Sequence, residues 1–221
     1  MSQEIKIEKK ASEVIQPGNE EEARLAIRTR QDLSGARLQG MVLDNINAVG
    51  AILRKTDLTN ANLSHGLLIN PNFYKACLHG TAIHNTIILG GDLVKTSCKG
   101  ADLSHSAIIG TDAQEASFEG ANLNNAALVR TNLQDADFTR TDLSNTRLAS
   151  LDVTGADFSD ANLSGARAYN VNWEQAKVPP TITPEPLVKL PNWAWSVLIG
   201  SLFGFMALIL YSLFRKKNKP S

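Results

Sequence analysis

From Leu33 to Trp173 every fifth residue is large and apolar with few exceptions, and the frame holds through 29 units. Of these centres, 25 are Leu, Phe, Ile, Val or Trp; the small ones are Ala48, Cys98, Ala113 and Ala168. The residue two places before each centre is usually Ala, Thr or Gly. A period of five fits neither an amphipathic helix at about 3.6 nor an alternating strand at about 2. It fits a coil that turns a corner every five residues. The centre and the residue two before it then point inward, and the other three positions point outward.

Such an interior is narrow, so a Leu or Phe centre needs a small inward partner. Ala36, Ala61, Ala76, Ala101, Ala121, Ala136, Ala156 and Ala161 meet that need. Met41, Ile46, Pro71, Leu151 and Val171 do not, which predicts local bulging or a widened coil at those points. Four faces of five residues make a coil of twenty, and residues twenty apart stack at the strand spacing of about 4.8 Å. Phe118, Phe138 and Phe158 then form one column.

The segments Ala-Asp-Leu-Ser-His (101–105), Ala-Asn-Leu-Asn-Asn (121–125), Ala-Asp-Phe-Thr-Arg (136–140) and Ala-Asn-Leu-Ser-Gly (161–165) resemble the A(D/N)LXX unit of the pentapeptide-repeat family. The resemblance covers about two thirds of the chain, a repeat signal of high specificity for fold. It implies an all-β solenoid over 31–177, a right-handed quadrilateral β-helix of about seven coils. Each coil of such an array buries its core only against its neighbours, so both ends need caps.

Residues 1–30 read as a leader and an N-terminal capping helix. Asn19 stands three before Glu22 in an N-cap arrangement, with Glu20 and Glu21 at the positive helix end. A short helix over about 20–29 is expected, with Ala23, Ala26 and Ile27 against the first coil. The first ten residues lack the apolar core of a secretory signal.

Beyond the repeats, Pro179, Pro180, Pro184, Pro186 and Pro191 mark a semi-rigid linker over 178–192. Residues 193–214 then run 22 positions without a charge. As a helix they reach about 33 Å, enough to cross a hydrocarbon core of about 30 Å, so a C-terminal transmembrane α-helix is expected. Trp193, Trp195 and Tyr211 lie near its ends, where headgroups favour amphipathic rings. Ser196, Gly200 and Gly204 place small residues on one side of that helix and predict helix association, hence a homo-oligomer. The basic tail 215–221 favours staying cytosolic by the positive-inside tendency, whereas the N-terminal sequence argues against export of the rod. The expected topology is tail-anchored and single-pass, with the repeats in the cytosol.

A second pattern emerges every twenty residues among the outward positions. Val49, Ile69, Leu89, Ile109, Val129, Ala149 and Tyr169 all follow a centre on one face. Leu67, Ile87, Ala107 and Ala127 flank them one step before the centre. The matching columns on the other faces are mainly polar. An apolar strip of that extent marks an interaction surface, and the candidate contact residues are Val49, Leu67, Ile69, Ile87, Leu89, Ile109, Val129 and Tyr169. Arg147 and Arg167 interrupt it late.

Charge narrows the partners. Residues 31–176 carry 15 Asp and Glu against 10 Lys and Arg, which lacks the basic stripe of a nucleic-acid binder. Asp57, Asp92, Asp102, Asp112, Asn122, Asp137 and Asp157 precede centres, where a short polar side chain bonds a turning backbone. They are expected to be corners and not catalysts. His65, His84 and His105 fall on one face, but His65 and His105 are two coils apart, about 10 Å, too far to share one ion. Cys77 points outward and Cys98 inward, so no disulfide joins them. No enzyme motif, cofactor site or metal site is expected.

These features predict a non-enzymatic, membrane-anchored scaffold or assembly factor, whose partners are a membrane protein or complex and the bilayer itself. The family resemblance implies an alternative: a DNA-mimicking protein that binds topoisomerase, of the gyrase-protection type. Mimicry would need dense acidity along one face, which the interspersed Arg54, Lys55, Lys95 and Lys99 break.

Overall fold

A computed structural model describes residues 14–187. The chain divides into two units after Glu185, and the solenoid with its N-terminal helix lies in the first. The expected transmembrane helix, with Ser196, Gly200 and Gly204, and the basic tail lie outside the described residues. Among the described residues, no helix is long and apolar enough to cross a membrane.

The fold is a parallel β-solenoid of about seven turns. Its regular strands are β1 (Asn47–Val49), β2 (Leu67–Ile69), β3 (Ile87–Leu89), β4 (Ala107–Ile109), β5 (Ala127–Val129), β6 (Arg147–Leu151) and β7 (Arg167–Val171). Each pairs in parallel with the next, twenty residues on, with Val49 opposite Ile69 and Ile69 opposite Leu89. The other faces pair through single bridges in the same register, such as Asp57↔Cys77 and Asp102↔Asn122. The period of twenty inferred from sequence is therefore the repeat of the hydrogen-bonded ladder.

Two kinds of corner explain why only one face forms strands. On three faces the centre's carbonyl accepts the N–H three residues on, as in Ala36 to Leu33 at 2.9 Å and Ala61 to Leu58 at 2.9 Å. Between them lies a residue with positive φ, the geometry of a type II turn. On the strand face the corner N–H keeps the link to the next coil that every face has, as in Asn70 N to Leu89 O at 2.7 Å, but the bond back to the centre is missing and the residue after the centre stays extended. Positive φ recurs at residue numbers divisible by five, and Gly or Asn fills 17 of these 29 positions. That enrichment is a sequence signal in its own right, because those two residues tolerate the left-handed region best.

Inward positions close the core. Phe118, Phe138 and Phe158 stack with centroids 4.9 Å apart and planes within 11° of parallel. Buried threonines solve a different problem: Thr56, Thr81, Thr96 and Thr141 donate to the carbonyls of Leu33, Leu58, Phe73 and Phe118 at 2.8–2.9 Å. These bonds supply partners for hydroxyls that would otherwise be buried at a cost of about 1–3 kcal/mol each.

The expected bulges are absent at Met41, Ile46 and Pro71, where the coil keeps its regular pattern. At Pro71 the bulk is absorbed by the coil above. Gly91 stacks on Pro71, and a Cβ on Gly91 would meet the Pro71 ring and carbonyl at 3.0 Å. Gly66 sits over Ile46 for a different reason: a Cβ there would meet the backbone carbonyls of Ile46 and Leu63 at 3.0 and 3.1 Å. Leu151 and Val171 do change the backbone, but by lengthening β6 and β7 to five residues and pairing with each other.

At the N-terminal end, helix α1 spans Glu20–Arg28 and buries Ala23, Ala26 and Ile27, the three residues expected to meet the first coil. Asn19 caps it, accepting from Glu22 N at 2.9 Å. The helix also provides the hydrogen bonds that a preceding coil would have made. Glu20 Oε1 accepts from Val42 N at 2.9 Å, and Gln16 Oε1 from Arg37 N at 2.9 Å. Arg24 donates to the carbonyls of Asp44 at 2.8 Å and Val42 at 2.9 Å, and to Asp44 Oδ1 at 2.7 Å.

At the other end Trp173 does not continue its column of centres. It begins a 3-10 helix, Trp173–Gln175, and packs edge-on against Phe158 at 5.4 Å and 78°. The register also slips by one residue, with Asp157 pairing with Val178.

Candidate functional site

The strand face carries the apolar strip because its corner is different. On the turn faces, an Asp or Asn before the centre accepts the N–H of the residue after it. Asp57, Asp92, Asp102, Asp112, Asn122, Asp137 and Asp157 all do so, over 2.9–3.3 Å. The strand face has no such turn to hold, so its position before the centre is free to be Leu67, Ile87, Ala107 or Ala127. Extended backbone after the centre favours β-branched residues, which accounts for Val49, Ile69, Ile109 and Val129.

The structure brings the candidate contact residues together in one register. Val49, Ile69, Leu89, Ile109, Val129, Ala149 and Tyr169 are consecutive partners in the parallel ladder, and Leu67 pairs with Ile87 beside them. Residues before and after a centre lie on the same side of a strand. The result is two parallel ridges of side chains with a furrow between. Val49 is 39% exposed and Ile87 43%, while Leu67, Ile69, Leu89, Ile109, Val129 and Tyr169 are half-buried by their stacked neighbours and Ala149 is buried. The relief is thus shallow, a furrowed shelf more than a pocket.

Electrostatics differ from face to face. No outward position of the strand face is Asp, Glu or Lys. Its coils carry three charges, Arg130, Arg147 and Arg167, all exposed and all in the last three coils, while Arg30, just after the N-terminal helix, lays its side chain over Gly50 at the early end. Arg130 has no periodic apolar signature, and sequence reasoning missed its place beside the other two. Elsewhere acids and bases alternate closely: Lys95 meets Glu115 at 3.2 Å, Lys99 meets Glu119 at 2.8 Å, Arg140 also meets Glu119, and Lys177 meets Asp157 at 3.3 Å. Hydrogen bonding and charge from Lys99 hold Glu119 below the usual carboxylate range.

The histidines form a contact without forming a centre. His65 and His84 meet edge to face at 5.2 Å, and His84 Nδ1 lies 3.4 Å from Asp102 Oδ2. Among the described residues, no group of three or more His, Cys, Asp or Glu is arranged to hold a metal ion. Cys98 is buried in the core, and burial pushes its thiol up to about 12, so it stays protonated. Cys77 and Cys98 are both free thiols.

The corner carboxylates give the solenoid a pH dependence. Asp32, Asp57, Asp152 and Asp157 are held below their ordinary value, chiefly by the hydroxyls of Ser34, Thr59, Thr154 and Ser159. A depressed folded value stabilises the fold above the unfolded value of about 3.9 and loses that contribution as pH falls through the folded value. Asn fills the same corner at Asn62, Asn72, Asn122, Asn132 and Asn162, keeping the acceptor without the titration. Replacing all four aspartates with Asn should therefore keep the fold but lower the thermal midpoint near neutral pH, since a neutral amide accepts these hydrogen bonds more weakly than a carboxylate. It should also flatten the decline below about pH 4, as followed by circular dichroism melts across a pH series.

The sequence profile described as pentapeptide repeats matches in eight copies, over residues 32–68, 51–87, 96–135, 136–172 and 156–177. The chain belongs to the pentapeptide-repeat family. No functionally curated protein matches it. Solved structures do. QnrB1, described as a plasmid-mediated fluoroquinolone resistance protein, is 22% identical over 78% of this chain and 91% of its own, with a TM-score of 0.40. HetL from the cyanobacterium Nostoc sp. strain PCC 7120, described as involved in heterocyst differentiation regulation, is 20% identical over 68% and 90%, with a TM-score of 0.26. A pentapeptide-repeat protein of the Arabidopsis thaliana thylakoid lumen is 24% identical over 63% and 72%, with a TM-score of 0.16. Nothing about partner or activity passes from such remote likenesses to this pentapeptide-repeat protein.

Proposed function

We propose that this pentapeptide-repeat protein is a non-enzymatic scaffold or assembly factor, anchored in a membrane by residues 193–214, that binds a membrane protein through its strand face. The reading rests on one observation above all: seven outward positions, from Val49 to Tyr169, are apolar or aromatic and stack in one register, while their counterparts on the other faces are mainly polar. A contiguous apolar surface of that kind fits a partner better than solvent. The uncharged run 193–214 supports an anchor that would hold the rod near membrane proteins. The repeats are placed on the cytosolic side in this proposal.

The test is recovery of partners from native membranes in mild detergent, with the full chain as bait. Replacing Ile69, Leu89 and Ile109 together with Ser should abolish recovery of the membrane partner while the β-rich circular dichroism spectrum survives. Unchanged recovery would remove the strand face from the proposal. Recovery of topoisomerase, insensitive to those three changes, would instead favour DNA mimicry by the acidic residues of the other faces.

A further inference from the structure

The late end of the strand face holds an arrangement that the solenoid itself does not need. Arg147 of β6 and Arg167 of β7 are direct partners in the ladder, one strand spacing of about 4.8 Å apart, and Arg130 lies one coil before. Like charges directly opposite on neighbouring strands destabilise the pairing. Among the described residues, the ion pairs join Arg24, His84, Lys95, Lys99, Arg140 and Lys177 to acids, and Arg130, Arg147 and Arg167 enter none of them. All three are exposed, and no acidic residue occupies an outward position on their face.

We infer that the strand face binds an amphipathic α-helix of a partner protein whose acidic end lies against Arg130, Arg147 and Arg167. The inference rests on the strand face being the interaction surface, and adds what occupies it and in which direction. Shape supports it first. On each strand the two outward positions are two residues apart, about 7 Å, and where the column before the centre falls to Ala107 and Ala127 beside Ile109 and Val129 the shallow trough can take one row of helical side chains. The uncharged stretch from Val49 to Val129 spans four coil steps, about 19 Å, or about 13 residues of helix.

Charge then excludes other occupants. A second copy of this chain docked through the same face would offer the arginines no acid in either orientation. A bilayer is laterally uniform, and a face built to lie on it would carry basic residues along its whole length. Here three arginines sit at the late end against Arg30 alone, over Gly50, at the early one, and that imbalance is the mark of a partner with polarity. The strip covers on the order of 300 Å² per side, well under the roughly 800 Å² of a standard interface, so the contact is weak unless both partners share a membrane.

The direct test uses a labelled, lactam-constrained 18-residue helix with leucines at the i, i+3, i+4, i+7 spacing and three Glu in its last turn. Its twin carries three Lys there. In fluorescence anisotropy with the full chain in mild detergent, the Glu peptide should bind roughly tenfold more tightly than the Lys peptide, the size expected for a few exposed ion pairs. Arg147→Glu with Arg167→Glu should reverse that preference, and added salt should shrink it. Equal binding of both peptides, lost with Leu89→Ser and Ile109→Ser, would overturn the polarity while keeping the apolar surface. If neither peptide binds, the helix is overturned, leaving the strand face to be judged by recovery of the membrane partner. An environment-sensitive fluorophore on Ser150→Cys, with Cys77→Ser, gives the lipid arm. A blue shift in vesicles that needs phosphatidylglycerol and both arginines would assign the face to lipid and overturn the proposal.

Discussion

Phe138→Ala is expected to destabilise the solenoid by about 3–5 kcal/mol, the upper range for truncating a buried aromatic residue. The ring is 1% exposed and lies between two others, each 4.9 Å away and nearly parallel. Relaxation is blocked on both sides. The coils above and below are fixed by backbone bonds of 2.7 Å from Phe118 N to Asp137 O and 2.8 Å from Phe138 N to Asp157 O. The cavity therefore cannot close without breaking the ladder, and the cavity cost adds to the lost transfer energy. Phe138→Leu is the control, since Leu58 and Leu78 fill the same column earlier in the rod; it should cost less than about 1.5 kcal/mol if the site repacks around it. Urea denaturation followed by circular dichroism distinguishes the two. Equal costs for Ala and Leu would show that the stacked rings, and not the filled volume, matter most.

That column is legible in the sequence because stacking obeys the five-residue frame without exception over those coils. The same holds for the ladder register, the small inward residues and the Asx corners, each of which depends only on position within the unit. What the frame cannot reveal depends on differences between units. The strand face differs from the other three by a missing hydrogen bond to its own centre, and no single residue type announces that absence. Its signature is distributed: no Asx before the centre from Leu67 onward, and an extended residue after it. The glycine opposite Pro71 compensates bulk one coil away, so a residue judged alone looks too large while the stacked pair fits. The apolar strip is visible as a column, and the period of twenty already stacks Arg147 on Arg167, but its shallow relief and the place of Arg130 beside them depend on how far each side chain stands out.

The ends of the solenoid escape the frame altogether, and the second large effect lies there. Ile27→Ala should cost about 2–5 kcal/mol, because Ile27 is 1% exposed and secures α1 over the first coil together with Ala23 and Ala26. Its loss also loosens the polar closure. Glu20 and Arg24 on α1, and Gln16 before it, supply the partners for Val42 N, Val42 O, Asp44 O and Arg37 N. Because stability in a linear array is the sum of coils and their interfaces, this damage should spread from one end. Native-state hydrogen exchange should then show protection lost first around Leu33, Leu38 and Leu43 while the amides of Phe118 and Phe138 stay protected. Phe138→Ala should give the opposite pattern, weakening the middle coils. Arg24→Ala isolates the polar part and should reproduce the terminal fraying at a smaller cost, about 1–3 kcal/mol, since some of its carbonyl partners can turn to water. A uniform loss of protection after Ile27→Ala would mean that the coils unfold as one unit and that α1 stabilises all of them equally.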